Sequence, residues 1–87
     1  MKPRQIVYDN VYRICMNSKS GRILYLEVQN IIYKKDDSMI PQYGWTYDKG
    51  SGMRFETEQK AKELANNYFK NFDKWFISCK KESVGSI

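Results

Sequence analysis

The chain has 87 residues, 41% apolar and 15% aromatic, and its fifteen Lys and Arg outnumber ten Asp and Glu for a net charge of +5. A chain of this length carries one small core with no room for a second domain, and its apolar content excludes intrinsic disorder. Histidine is absent, so the commonest side chain titrating near neutrality is missing, which weighs against acid–base and nucleophilic catalysis.

The first ten residues, MKPRQIVYDN, lack the apolar run of a signal peptide, and no stretch approaches the roughly 20 apolar residues of a membrane span. The expectation is a cytoplasmic protein with no membrane partner. Residues 1–10, with one apolar pair at Ile6 and Val7, read as an N-terminal arm or edge strand. From Val11 the chain alternates, with Tyr12, Ile14 and Met16 on one side and Val11, Arg13 and Cys15 on the other. The polar bend Asn17–Gly21 and a second alternating run, Leu24, Leu26 and Val28, complete a hairpin whose second strand continues toward Ile31 and Tyr33. Lys34 to Ser38 reads as a solvated turn. Pro41 then keeps the following residues from starting a central strand.

Tyr43, Trp45 and Tyr47 recur at period two and so project from one face of a strand. Asp48–Gly52 reads as a hairpin turn in which two glycines free the backbone for positive φ, and Met53–Phe55 as a short strand leading into a helix. The helix is the strongest local signal. Ala61, Leu64, Ala65, Tyr68, Phe69 and Phe72 fall at steps of three and four, Thr57 is placed to cap the first turn, and Glu58 sits near the positive end of the helix dipole. After a bend around Asn71 and Asp73, Lys74–Cys79 alternates as a final strand. Lys80 to Ile87 reads as a flexible tail. The predicted fold is α+β, one domain over residues 11–79: a small antiparallel sheet of three to five strands with one amphipathic helix packed on one face.

No zinc spacing, EF-hand loop or phosphate-binding GxxxxGK[ST] pattern occurs, and no metal ligand set, cofactor or catalytic residue is assigned. Cys15 and Cys79 lie in apolar, strand-like contexts and read as free buried thiols, although two cysteines this far apart in sequence could in principle pair. Asp36 and Asp37 keep a turn in water. The positive charges are scattered, with no run of five or six that marks a nucleic-acid tail.

The aromatic stripe presents a fork. On an exposed face, Tyr43, Trp45 and Tyr47 with Lys34, Lys35, Lys49 and Arg54 form a partner-contact surface, either a set of anchors for a protein or a stacking platform for unpaired bases. Alternatively the same rings are core, because a small sheet needs bulky side chains to cover Leu64, Tyr68 and Phe69.

The run GMRFETEQKAKELA, with Phe55, Thr57, Ala61 and Ala65, resembles a strand-to-helix pattern F-x-[ST]-x-x-x-A of short bacteriophage and mobile-element accessory proteins. The upstream YGWTYDK is similar to their tryptophan-bearing strand. A related step occurs in the arm-type DNA-binding domain of tyrosine integrases, whose basic hairpin turn is matched here only by Lys19 and Arg22. The accessory-protein resemblance implies a non-enzymatic, stoichiometric binder that inhibits or modulates a host protein or a defence complex, in the manner of an anti-CRISPR protein. The alternative is a nucleic-acid-binding protein using a basic, aromatic sheet face.

Overall fold

The computed structural model describes residues 3–69 and 74–86. The two long alternating runs at the start form β1 (Ile6–Asn17) and β2 (Ile23–Tyr33), and the chain returns through β3 (Met39–Thr46). A single 3-10 turn at Lys49–Ser51 precedes the helix α1 (Glu58–Tyr68), and β4 (Trp75–Ser86) closes the chain. The four strands make one antiparallel sheet in the order β3-β2-β1-β4, with α1 on one face, as the α+β reading expected.

The helix starts where the sequence says it should. Thr57 is extended at φ −134 and ψ 152, and its hydroxyl oxygen accepts the Lys60 N–H at 3.2 Å. Glu58 lies in the first turn, and Lys60–Glu56 and Lys62–Glu58 form exposed i,i+4 pairs at 3.3 Å, each worth only a few tenths of a kcal/mol. Thr57→Ala is expected to lower stability by about 1 kcal/mol, read as a shift of the urea midpoint with unchanged slope. Phe72, the last residue of the expected stripe, lies outside the described residues, as does the bend at Asn71 and Asp73.

Ala61 and Ala65 have no exposed surface, and their small side chains let the helix backbone approach Ile14 of β1 and Leu26 of β2, each 1% exposed. Tyr12, Tyr43, Trp45, Met53, Phe55, Leu64, Phe69, Trp75 and Ile77 pack around this cluster.

From Val11 to Cys15, β1 is covered on both faces. Val11, Arg13 and Cys15 alternate with the helix-facing residues and are also covered, with Arg13 only 2% exposed. The cover follows from how β1 and β2 part. They pair only at Cys15–Tyr25, Met16–Leu24 and Asn17–Ile23, then diverge. The chain from β3 crosses the second face as the 3-10 turn, where Gly52 lies against Tyr25 and Arg13, and passes to the helix face through the opening between β1 and β2. There Met53 N–H bonds the Leu26 carbonyl at 2.9 Å, and Phe55 and Tyr12 exchange backbone bonds at 2.9 and 3.1 Å. The crossing explains why Asp48–Gly52 is no hairpin turn. Asp48 caps the 3-10 turn by accepting from Gly50 N–H at 3.0 Å and from the Ser51 hydroxyl at 2.8 Å. Gly52 has an ordinary φ of −65; glycine is needed there because a Cβ would come within 2.9 Å of Tyr25 Cβ.

Two expectations at the chain ends are corrected. β4 does not stop at Cys79 but runs to Ser86, and of the two readings of residues 1–10, arm or edge strand, Ile6 to Asn10 take the strand, not as a separate edge element but as the first half of β1, paired with β4 from Ile6–Ser86 to Val11–Lys80. The KKESVGS stretch has no alternation to announce a strand. Its order comes from an available backbone partner, since this half of β1 has no β2 beside it.

The result is elongated. The radius of gyration is 15.6 Å, against about 12 Å for a compact chain of this length, and the extents are 51 × 40 × 23 Å. Two ribbons, β1–β4 and β2–β3, spread from a shared base. An eleven-residue helix is roughly 16 Å long while an eleven-residue strand is roughly 36 Å long, so one helix cannot cover the full length of the sheet.

Candidate interaction surface

The seven residues expected as a contact surface do not share one. Tyr43 and Trp45 are half-buried on the helix face: the Tyr43 ring meets Tyr68 edge-on at 4.7 Å, and the Trp45 ring lies 5.6 Å from that of Phe69. Burial, helped by Tyr68, pushes the Tyr43 hydroxyl above its ordinary pKa. Tyr47 lies past the end of β3, exposed, with the Arg22 guanidinium 4.1 Å above its ring. Lys34 and Lys35 occupy the β2–β3 turn at the far end of the same strand, where Lys34 N–H bonds the Ser38 carbonyl and Asp36 accepts from Ser38. Lys49 is on the opposite face of the sheet, 3.5 Å from Glu82. Arg54 lines a cleft of about 410 Å³ between β1 and the segment entering the helix, together with Asp9, Asn10 and Glu56. The core side of the aromatic fork therefore describes Tyr43 and Trp45, and the exposed side describes Tyr47.

Among the described residues, the most deeply buried charge lies on the second face. Arg13 forms a two-pronged pair with Glu82, one prong an Nη1–Oε2 contact and the other an Nη2–Oε1 bond at 3.0 Å. Hydrogen bonds and charge from Arg13, with Lys49 beside it, hold the Glu82 carboxyl down at about 2 from 4.5, against the opposing effect of burial. Arg13 Nε finds no partner among the described residues. Nothing in the sequence distinguishes Arg13 from the other scattered cations except its position between Val11 and Ile14 in an apolar strand.

Both cysteines are free, but only Cys15 is buried as expected; Cys79, opposite Tyr12 on the edge strand β4, is exposed. Cys15 is buried near Arg13 O and Ser78 Oγ, and burial pushes its thiol up, the reverse of what a nucleophile needs. Among the described residues no group of three or more His, Cys, Asp or Glu is placed to hold a metal ion, and no helix is long and apolar enough to cross a membrane.

Comparison with protein-family models, curated proteins and solved structures finds no match.

The surface that sequence reasoning missed is the outer part of the β2–β3 ribbon. Leu26 opposite Trp45 and Val28 opposite Tyr43 continue the helix-facing side. A bulge then places Gln29 as an extra residue in β2, and its side chain lies over Gly44, where any Cβ would collide with it. The extra residue resets the alternation. Without it Ile31 and Tyr33 would turn to the other face; with it the pairs Ile31–Pro41 and Tyr33–Met39 stay on the side of Val28 and Tyr43. This face runs beyond the helix into water. Val28 is 39% exposed, Ile31 42%, Tyr33 70% and Met39 60%, and the half-exposed ring of Tyr68 adjoins them at Tyr43. The signal present in the sequence is apolar residues on both sides of a polar turn, in a hairpin longer than its helix.

Proposed function

We propose that the protein is a non-enzymatic protein-binding module, of phage or mobile-element origin as the strand-to-helix resemblance implies, that acts stoichiometrically on a host protein or defence complex. The observation that carries this reading is the β2–β3 arm, whose apolar face is left largely exposed by the described residues. Exposed apolar surface of this extent in a small protein marks an interaction site, and Tyr and Met are among the residues enriched there. The contact surface of the proposal accordingly moves from Trp45 and the lysines to Val28, Ile31, Tyr33, Met39 and Tyr68, with Tyr47 at the other end of β3.

The nucleic-acid alternative loses its platform once two of the three rings pack against helix rings. Salt separates the readings. Each phosphate contact contributes about −0.7 to −0.9 to the slope of log affinity against log salt, whereas an apolar arm docking on protein is nearly indifferent to salt. Fluorescence anisotropy with duplex DNA, single-stranded DNA and RNA is expected to show weak binding that disappears at physiological salt. Micromolar or tighter binding that survives 150 mM salt would replace the protein-binding proposal with the nucleic-acid one.

A further inference from the structure

We infer that the apolar face of the β2–β3 arm is covered in solution by the same face of a second copy of this chain, giving a two-fold dimer joined arm to arm. The inference rests on the reading of this arm as a protein interface and names its partner.

Three observations favour a second copy over an unlike partner. The first is charge. Residues 28–47 contain only Lys34, Lys35, Asp36 and Asp37 among charged side chains, so this stretch has no net charge while the remainder of the chain carries the full +5. Two arms in contact meet without like-charge repulsion, and the basic bodies stay apart at either side. A partner recognised through its acidity would instead be drawn to the rest of the molecule.

The second is geometry. A two-fold interface brings the same patch from each subunit together, so the patch must fit itself. The ladder Val28–Tyr43, Ile31–Pro41, Tyr33–Met39 is a sheet face with no projecting charge, and two such faces stack at about 10 Å as in any β-sandwich. The turn at the tip places two lysines directly before two aspartates, and either sign finds its opposite in a second tip.

The third is stability. A two-stranded ribbon standing alone in water is marginal, and a third strand or a covering layer is needed to hold it. α1 covers the base of the ribbon only, so its outer half requires a layer that the described residues do not supply. The other ribbon is different: β1 and β4 carry Asp9, Lys80, Lys81 and Glu82 along this length, and only Ile6, Tyr8 and Val84 are large exposed apolar residues there.

The ladder from Val28–Tyr43 to Tyr33–Met39 is roughly 15 Å long and two strands wide, which puts the contact in the weak, transient class of interfaces and the dissociation constant on the order of 100 µM. Sedimentation velocity and light scattering of the whole chain at physiological salt should show an apparent mass rising from 10.4 kDa toward twice that value between about 1 and 200 µM. Ile31→Asp and, separately, Tyr33→Lys should weaken dimerisation at least tenfold with unchanged circular dichroism, because both side chains project into water in the protomer. Ile6→Asp, on the other ribbon, should leave it unchanged. A wild type that stays at 10.4 kDa throughout overturns the dimer, as does a dimer indifferent to both arm variants or abolished by Ile6→Asp. A monomeric wild type whose affinity for an unlike protein falls in Ile31→Asp likewise overturns the dimer, but leaves the arm standing as an interface, so the two readings fail separately.

Discussion

Glu82→Ala is expected to remove about 3 kcal/mol of stability, out of a total on the order of 4–13 kcal/mol for a domain of this length. Glu82 is the sole carboxylate paired to Arg13 among the described residues, and Arg13 is 2% exposed. Removing the carboxylate leaves a guanidinium charge in a site closed by Gly52 and Tyr25, with Nε already unpartnered. Glu82 itself is 20% exposed, which places the expected loss at the lower end of the range for a broken buried pair. The double change Arg13→Met with Glu82→Leu should recover most of the loss, since apolar residues of similar volume need no counter-charge. The same pair predicts an acid limb. Glu82 titrates at about 2 in the fold and near 4.5 when unfolded, so its stabilisation is fully present above 4.5 and is lost as pH falls toward 2. Urea midpoints measured from pH 6 to pH 2 should fall more steeply for the wild type than for Glu82→Gln. Parallel curves would mean that solvent screens the pair and that Arg13 is held by packing alone.

The helix and the first hairpin were readable because their information is local. Thr57 needs only its own hydroxyl and the N–H of Lys60 to cap α1, and Ala61 and Ala65 mark the close-contact face by size alone. The Asn17–Gly21 bend needs only flanking alternation. What was not readable is held by partners far away in sequence. Lys80 to Ser86 becomes a strand because Ile6 to Val11 offers backbone groups from the other end of the chain, and Glu82 is fixed by Arg13 across a gap of 69 residues. Gly52 looked like a turn residue when its actual constraint is the Tyr25 side chain beneath it. Of the candidate surface, the residue types were legible but their placement was not. Period two correctly put Tyr43 and Trp45 on one face, yet only the position of α1 decides that this face is covered, and only the bulge at Gln29 carries the apolar side onward to Ile31 and Tyr33.

Trp45→Ala is the other substitution with a large expected effect, about 3 kcal/mol, in the lower part of the range for truncating a packed tryptophan because the ring is only half-buried. Trp45 stands opposite Leu26 in the sheet and its ring lies against Phe69 just beyond the end of α1, so the cavity opens between sheet and helix where neither can collapse freely. Phe69 also carries the C-cap of α1, its N–H bonded to Ala65 O at 2.8 Å, so loosening the Trp45 contact should fray the last helical turn first. Hydrogen exchange is expected to show protection lost at Tyr68 and Phe69 before Ala61. Tyr47→Ala serves as the comparison: Tyr47 shares the period-two spacing and the aromatic chemistry but lies outside the core, and its truncation should change stability by no more than about 0.5 kcal/mol beyond the loss of its cation–π contact with Arg22. A Trp45→Ala protein with a wild-type urea midpoint and weakened partner binding would reverse the assignment, returning the contact surface to the aromatic stripe and leaving the arm without its role. A lowered midpoint with binding that still depends on Ile31 and Tyr33 places the stripe in the core and the recognition on the arm, where the helix ends and the sheet does not.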